Sequence, residues 1–292
     1  MSKNRTTTGD RIFTAIITTL VLLFCLVVLY PLLWIVSASF SDPFSFLTGK
    51  VILWPVKPTL RMYNMVFNYP LIWKSYLNTV LYTVTGTMIS VWLSSFAAYP
   101  LSRSDFWGKG FFTLAFMITM FFSGGMIPTF LLVKNLGMLD TIWAIILPGS
   151  VSVYNVIVMR TFFKSTIPGE LQESAALDGA NDIIFFFRIV LPLSKAIMAV
   201  MVLFYGVGYW NNWFSAFLYM STRDRYPVQL LLREIVIQGQ TKLIGGGGGD
   251  DELIGEGVKY ATMVVATVPI MCLYPFLQRY FTKGVMIGSV KG

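Results

Sequence analysis

Long apolar stretches separated by polar segments dominate the pattern of this chain. A bilayer core requires about 20 consecutive, mostly apolar residues for each helical span. Six stretches meet that requirement, and they run from about 12 to 34, 77 to 99, 111 to 133, 141 to 159, 196 to 218 and 260 to 277. None of them contains Asp, Glu, Arg or His. The pattern predicts an all-α fold, a polytopic transmembrane helical bundle with six spans.

The composition places the chain in the same class. Hydrophobic residues make up 55% of it and charged residues 12%, with a mean hydropathy of +0.68, whereas soluble domains carry about 25% charged residues. The net charge of +8 comes from Lys and Arg between the apolar stretches, where flanking positive charge is common in membrane proteins. No basic stripe with interleaved aromatic residues is present, so the expected partner is membrane lipid and not nucleic acid.

The sequence also excludes several kinds of catalytic and metal site. It contains no histidine and only two cysteines, Cys25 and Cys272, each within an apolar stretch. This excludes Ser-His-Asp triads, His/Cys zinc sites and a disulfide framework. No G-x-x-x-x-G-K-[ST] sequence for binding nucleotide phosphates occurs. We therefore expect no catalytic residue, metal or cofactor in this chain, and no ATP hydrolysis by it.

The distribution of Lys and Arg predicts the orientation of the spans. These residues are somewhat more frequent in both terminal segments and in alternate short loops, which places those segments in the cytoplasm. The long loops at about 41–75 and 219–259 then lie outside. The first apolar stretch exceeds the roughly 7–15 residues of a signal-peptide core, so we interpret it as a retained signal-anchor helix. The run Gly245 to Gly249 predicts a flexible outer loop.

The polar segment between the fourth and fifth predicted spans carries the most informative pattern. Pro168 suits the first turn of a helix, and Glu170 to Leu177 are good helix formers. Asp178-Gly179 marks a helix end, because glycine readily adopts the left-handed conformation found there. A second short amphipathic helix is predicted to follow and to join the fifth span at Pro192. The sequence predicts two short helices, joined by a glycine turn, at the cytoplasmic membrane surface.

Seven fixed positions in this segment resemble the EAA signature, E-A-A-x3-G-x9-I-x-L-P, of ATP-binding-cassette (ABC) importer permeases. Glu173-Ser174-Ala175 forms the first triplet, with serine in place of one alanine, and the other fixed positions are Gly179, Ile189, Leu191 and Pro192. Residues 126–159, 210–213 and 284–292 look like the same family. Over about residues 75–292, the chain resembles carbohydrate-uptake permeases of the maltose-system type, and it is most similar to those that serve complex oligosaccharides.

The resemblance implies a MetI-like ABC importer permease core. It divides the chain into an N-terminal tail, first helix and outer loop (1–74), the importer transmembrane domain (75–282) and a C-terminal cytoplasmic tail (283–292). The coupling helix, at about 168–187, is expected to dock on an ATPase subunit. The residues assigned to ATPase coupling are Glu170, Glu173, Ser174, Ala175, Ala176, Asp178, Gly179, Ile189, Leu191 and Pro192.

The resemblance also implies an assembly. Its other members are a second homologous permease subunit that forms a heterodimer with this one, two ABC ATPase subunits that bind ATP and Mg, and an extracytoplasmic solute-binding protein. The implied function is the inward translocation of a carbohydrate, and specifically of an oligosaccharide, across the cell membrane. Translocation is by alternating access and is coupled to ATP hydrolysis on the separate subunits. The chain itself is then a transport subunit and not an enzyme.

An aromatic and amide cluster in the fifth predicted span is a candidate substrate pathway, because sugars bind to aromatic faces and to amide groups. Its residues are Tyr209, Trp210, Asn211, Asn212 and Trp213. The alternative is an aromatic belt at the outer interface, with asparagines that link helices. Ser123-Gly124-Gly125 predicts a break in the third span. Broken helices line many transporter sites, but a simple helix end explains this pattern equally well.

Ion-coupled secondary transport is the alternative function. Such carriers usually need ionisable residues within the membrane, and the six predicted spans contain no carboxylate. An intramembrane enzyme is disfavoured for the same reason, since no pair of carboxylates and no histidine is present in the spans. The sequence therefore favours the importer.

Overall fold

The structure is a computed structural model that describes residues 7–237 and 255–272. The glycine run 245–249 and the predicted tail 283–292 lie outside these ranges. All regular secondary structure in the described residues is helical, which confirms the predicted all-α class. The helices are α1 (Thr8–Ser39), α2 (Pro43–Leu47), α3 (Arg61–Asn68), α4 (Pro70–Ser102), α5 (Lys109–Phe121), α6 (Met126–Asn135), α7 (Ile142–Ile146), α8 (Val153–Thr166), α9 (Gly169–Leu177), α10 (Asp182–Phe185), α11 (Leu191–Leu193), α12 (Lys195–Trp210), α13 (Trp213–Tyr219), α14 (Val228–Ile237) and α15 (255–272).

The described residues form two compact units, and the first comprises 7–69 together with 234–237 and 255–266. Helix α1 begins with a capping box, in which Thr7 and Asp10 accept hydrogen bonds from each other's backbone N–H groups. Most of α1 is exposed and apolar, as a lipid-facing helix would be, and only Ser37 to Ser39 at its end are buried. Nearby, Trp34 Nε1 donates to the carbonyl oxygen of Val51 over 2.9 Å. This bond fixes the segment after α2 against the end of α1.

The second unit comprises 70–233 together with 267–272. At its centre α4 packs against α8 and α12. Gly86, Ser90 and Ser94 of α4 are buried, and the two serine hydroxyls lie 2.9 and 2.6 Å from those of Tyr209 and Tyr205 on α12. Small residues let membrane helices approach closely, and serine hydroxyls can link them. The contact between α4 and α12 therefore combines close backbone approach with buried hydrogen bonds.

Two helices in the described residues, α1 and α4, are long and apolar enough to cross a membrane unbroken. Three bent pairs also qualify if each is one span: α5 with α6, bent by 110°, Ile142–Gly149 with α8, bent by 54°, and Asp182–Leu193 with α12, bent by 82°. The two helices and the first two pairs correspond to the first four predicted spans, and in the third pair α12 falls in the fifth predicted span, whereas 182–193 belongs to the segment predicted at the cytoplasmic surface. Only the part of 260–277 within α15 is described, so the count of six stays a prediction, as do the domain boundaries at 74 and 282.

The break that Ser123-Gly124-Gly125 predicts in the third span is confirmed. Helix α5 ends at Phe121 and α6 starts at Met126, and Gly125 between them has a φ of +87°. Side chains disfavour this conformation and glycine does not, so the sequence marks the break. Its role as a lining of the substrate pathway stays a prediction.

The fourth span is broken as well, although the sequence predicts a continuous helix over 141–159. A 3-10 turn, Leu147–Gly149, follows α7, and α8 starts after Ser152, whose side chain accepts from the N–H of Asn155. Pro148 in this turn cannot donate a backbone hydrogen bond. Apolar residues continue on both sides, so hydropathy alone does not reveal the break.

The fifth span ends at Trp210 and not at 218 as predicted. The amide of Asn211 donates to the carbonyl oxygen of Val207 over 2.9 Å. Asn212 then starts α13, because its Oδ1 accepts from the N–H of Ser215 over 3.2 Å. The two asparagines satisfy backbone groups at a break that lies within an otherwise apolar stretch.

Asp140, which lies between α6 and α7, joins two loops of the second unit. Its backbone is left-handed, with a φ of +57°. Oδ1 accepts from the N–H groups of Ser221 and Thr222, each at 3.1 Å, and Oδ2 lies 3.1 Å from Nη1 of Arg225. Burial opposes the ionisation of Asp140, but the hydrogen bonds and the charge of Arg225 together lower its pKa below the ordinary value of 3.8.

We expect Asp140→Ala to lower the free energy of unfolding by about 1–2 kcal/mol, because it removes hydrogen bonds to a charged acceptor. Asp140→Asn should cost less, because asparagine keeps Oδ1 and tolerates the left-handed conformation. Since the folded-state pKa lies below the unfolded value, the ionised form stabilises the fold above pH 3.8, and this contribution is lost as the pH falls through the folded-state pKa. Thermal unfolding in detergent should therefore show a difference between wild type and Asp140→Ala that shrinks at acid pH. A difference independent of pH would contradict this assignment.

Candidate functional site

Within the segment predicted to couple to the ATPase (about 168–187), the first predicted helix forms as α9, Gly169–Leu177. Pro168 precedes its first turn as the N-cap, one position earlier than predicted. At the other end Gly179 adopts a φ of +80°, and the N–H groups of Gly179 and Ala180 donate to the carbonyl oxygens of Ala176 and Ala175 over 3.0 and 2.9 Å. These two bonds form a Schellman motif. The helix end predicted at Asp178-Gly179 is therefore confirmed.

One side of α9 is packed and the rest is exposed. Ala175 is buried in the main hydrophobic core, together with Phe163 and Phe185. The exposed residues of the predicted coupling set are Glu170, Glu173, Ser174, Ala176, Asp178 and Gly179. Leu177 at the end of α9 is 90% exposed. This surface combines carboxylates, small side chains and an unburied leucine, and its charge suits contact with a second protein better than burial in lipid.

The remaining predicted coupling residues lie in the helix that follows. Asn181 starts α10, since its Oδ1 accepts from the N–H of Ile184 over 2.8 Å. The chain then passes through a π turn and α11 and bends into α12. Ile189 and Leu191 are half-buried, and Pro192 is exposed close to the bend. The predicted second helix and its junction with the fifth span are confirmed, whereas the sequence does not predict the π turn.

An ionic cluster missed by the sequence analysis lies beside this segment. Arg103 Nε donates to Asp105 Oδ1 over 2.8 Å, and its Nη1 donates to the hydroxyl of Tyr99 over 3.0 Å and to the carboxylate of Asp182 on α10. On α9, Gln172 Nε2 lies 3.5 Å from Asp105 Oδ2. The hydrogen bond from Arg103 is the main reason why the pKa of Asp105 is lowered to about 2. The sequence separation of 79 residues between Arg103 and Asp182 leaves no local signal for this pairing.

Two of the five substrate-pathway candidates are buried. Tyr209 and Trp210 lie in the interior of the second unit. The Tyr209 hydroxyl contacts Ser90 and also donates to the carbonyl oxygen of Ile146 over 3.1 Å. In this conformation Tyr209 therefore links three helical segments, and it is not free to contact a sugar.

The other three candidates lie at the break after α12. Asn211 and Asn212 satisfy the helix ends described above. Trp213 is 37% exposed, and the guanidinium of Arg233 lies 4.7 Å from its ring centroid, within range of a cation–π interaction. Trp213 and Asn211 are the accessible members of the set, and their contact with substrate stays a prediction.

A cavity of about 490 Å³ in the second unit lies between α4, α12 and the end of α15. Its lining is apolar, for example Val91, Trp92 and Val202, apart from Thr83 and Thr87. A sugar needs several polar partners because each of its hydroxyls loses water on binding. This cavity therefore does not suit a sugar. Within residues 7–237 and 255–272, no three His, Cys, Asp or Glu side chains are grouped to hold a metal ion.

Comparison with known proteins gives a consistent result. Residues 86–287 match the family described as binding-protein-dependent transport system inner membrane component. The chain is 43% identical, over 97% of its length and 99% of the relative, to the polygalacturonan/rhamnogalacturonan transport system permease protein YtcP of Bacillus subtilis (strain 168). It is 40% identical to Protein LplC of the same organism, over 91% of this chain and 90% of that one.

Solved structures include a close match in fold. A crystal structure of a bacterial ABC transporter involved in the import of the acidic polysaccharide alginate contains a chain that aligns with a TM-score of 0.84 and 31% identity, over 94% of this chain and 98% of that one. The resemblance inferred from the EAA signature and the MetI-like permease fold are thereby confirmed. The chain is a multi-pass membrane permease subunit, and it belongs to the family of binding-protein-dependent transport system inner membrane components.

Proposed function

We propose that this chain is the permease subunit of an ABC importer that moves an oligosaccharide inward by alternating access, while separate subunits bind ATP and Mg and hydrolyse the ATP. The observation that carries the proposal is the structure of α9, which ends in a Schellman motif at Gly179. It holds Glu173 and Gly179 of the EAA signature on an exposed surface, next to a core that fixes Ala175. Such a surface can transmit movement, because Ala175 anchors α9 in the core and the exposed side of the helix is open to a partner.

The proposed assembly contains a second homologous permease, two ABC ATPases and an extracytoplasmic solute-binding protein. Both termini and α9 lie on the cytoplasmic side, where α9 contacts an ATPase. Closure of the ATPase pair on ATP would move the coupling helices of the two permeases together and open the pathway to the outside. Ion-coupled transport is disfavoured, because the predicted spans contain no carboxylate to carry a coupling ion.

The proposed substrate class is an oligosaccharide that contains uronic acid. YtcP is named as a transport permease for polygalacturonan/rhamnogalacturonan, and the matched crystal structure is of a transporter that imports alginate. These polysaccharides share sugars that carry a carboxylate.

Co-purification tests the assembly. The tagged chain is solubilised from its native membranes in mild detergent, and the proteins that accompany it are identified by mass spectrometry. We expect a second permease and an ABC ATPase. In proteoliposomes with the binding protein, the assembly should import oligogalacturonate or alginate fragments only with ATP. A lone chain that still transports would overturn the importer, and ATP-driven import of neutral oligosaccharides alone would overturn the substrate class.

A further inference from the structure

We propose that Arg103 is a positioning residue that fixes the orientation of the coupling segment (168–187) relative to the end of α4, so that movement of this segment is transmitted to the spans. We call Arg103 with its partners Tyr99, Asp105 and Asp182 the Arg103 clamp. The inference rests on the proposed function, because it assigns a mechanical role to a residue near the surface proposed to contact the ATPase.

The geometry of the clamp joins separate elements through one side chain. Tyr99 belongs to α4, Asp105 to the loop before α5, and Asp182 to the first turn of α10, and Arg103 donates to all three. Gln172 extends the cluster to α9 through Asp105. Because a guanidinium is planar and its donors point in fixed directions, these contacts restrain rotation as well as distance.

The end of α4 is itself held in place. Arg160 Nε on α8 donates to the carbonyl oxygen of Leu101 over 3.0 Å, and Lys109 Nζ at the start of α5 donates to that of Arg103 over 2.6 Å. Arg103 therefore projects from a backbone that two other helices fix. A rigid support on one side is what a positioning contact requires.

The exposed fractions of the side chains in the Arg103 clamp indicate that it positions the coupling segment and contributes little to stability. The side chain of Arg103 is 13% exposed, whereas those of Asp105 and Asp182 are 56% and 72% exposed. The carboxylates keep most of their hydration, so breaking their ion pairs changes stability little. The apolar packing of Phe185 and Phe186 holds the segment in the core, but apolar contacts are not directional. The directional hydrogen bonds of the Arg103 clamp therefore fix the orientation of the coupling segment relative to α4.

The test compares wild type with Arg103→Gln in the complete importer, and it measures hydrogen–deuterium exchange of the coupling segment in nanodiscs and import per ATP hydrolysed in proteoliposomes. We expect faster hydrogen–deuterium exchange of backbone amides within 168–187, and a several-fold fall in substrate imported per ATP hydrolysed in proteoliposomes. Arg188→Gln is the matched control. Arg188 is an exposed cation of the π turn, with no ion pair in the described part of the chain, so both readouts should match wild type.

Asp182→Asn provides a milder variant, since it removes one acceptor from an exposed position and leaves Arg103 in place. It should shift both readouts in the same direction but less. Arg103→Gln combined with Asp182→Asn should be no worse than Arg103→Gln alone, because both changes break the same contact. If Arg103→Gln fails to assemble into the importer, the exchange and import of Asp182→Asn decide whether the Arg103 clamp positions the coupling segment.

Unchanged exchange in these variants would overturn the clamp, whatever the protein transports. Faster exchange with unchanged import per ATP would overturn the role in transmission and leave the clamp as a local restraint. Neither result bears on whether the chain is an importer subunit, because that depends on co-purification and on the Gly179 variants described below.

Discussion

Gly179→Trp is expected to reduce transport roughly tenfold or more, the equivalent of about 1.4 kcal/mol or more of lost coupling, while ATP hydrolysis and the fold persist. Apart from its two chain neighbours, a Cβ built at Gly179 meets no atom of the described residues within 4 Å, and Gly179 is exposed, so the new side chain starts in open space. It would instead occupy the surface at which α9 is proposed to contact the ATPase. The measurement is ATP-dependent import against ATP hydrolysis in proteoliposomes that contain the whole assembly.

Gly179→Ala is the matched control for backbone strain. Both variants place a side chain at a φ of +80°, which costs about 1–2 kcal/mol, but alanine adds almost no volume to the exposed surface. We expect Gly179→Ala to retain most transport.

Glu173→Lys should uncouple ATP hydrolysis from transport in the same way as Gly179→Trp, because it reverses a charge on the exposed side of α9. Normal transport by Gly179→Trp and Glu173→Lys would refute the docking assignment.

Local chemistry explains why α9 could be predicted from the sequence. The glycine after Asp178 is the one residue type that takes a left-handed conformation at no steric cost, and the structure places it in a Schellman motif. The break after Phe121 is predictable for the same reason, because consecutive glycines mark it. In both places the information lies within a few residues.

Features that depend on distant contacts could not be predicted. The pairing of Arg103 with Asp182 joins segments 79 residues apart, and the pattern around each shows only a charged residue at the end of a helix. The ambiguity at Asn211 and Asn212 is local: the sequence makes them candidate sugar contacts, which stays a prediction, and the structure shows each bonded to a backbone group within four residues at a helix end. A polar residue in an apolar stretch has to satisfy some partner, and the sequence does not say whether that partner is a ligand or the backbone.

Gly86→Ala is expected to lower the free energy of unfolding by about 1–3 kcal/mol, the range for overpacking a close contact. A Cβ at this position would lie 2.8 Å from the ring of Tyr209. The ring cannot move away easily, because its hydroxyl contacts Ser90 and donates to the carbonyl oxygen of Ile146. Thermal unfolding of the purified permease in detergent should show a melting temperature lower by roughly 5 °C.

Second substitutions at Tyr209 show whether contact with its ring causes the loss of stability in Gly86→Ala. Tyr209→Phe keeps the ring atoms that meet the new Cβ, so it should not relieve Gly86→Ala. Tyr209→Ala removes them, so the double variant should be no less stable than Tyr209→Ala alone. Gly208→Ala on α12 is the matched control, since a Cβ there meets no atom of the described residues within 4 Å beyond its own helix backbone, and alanine favours a helix over glycine. If Gly86→Ala and Gly208→Ala melt alike, the contact between α4 and α12 tolerates a larger residue, and the close approach has another cause.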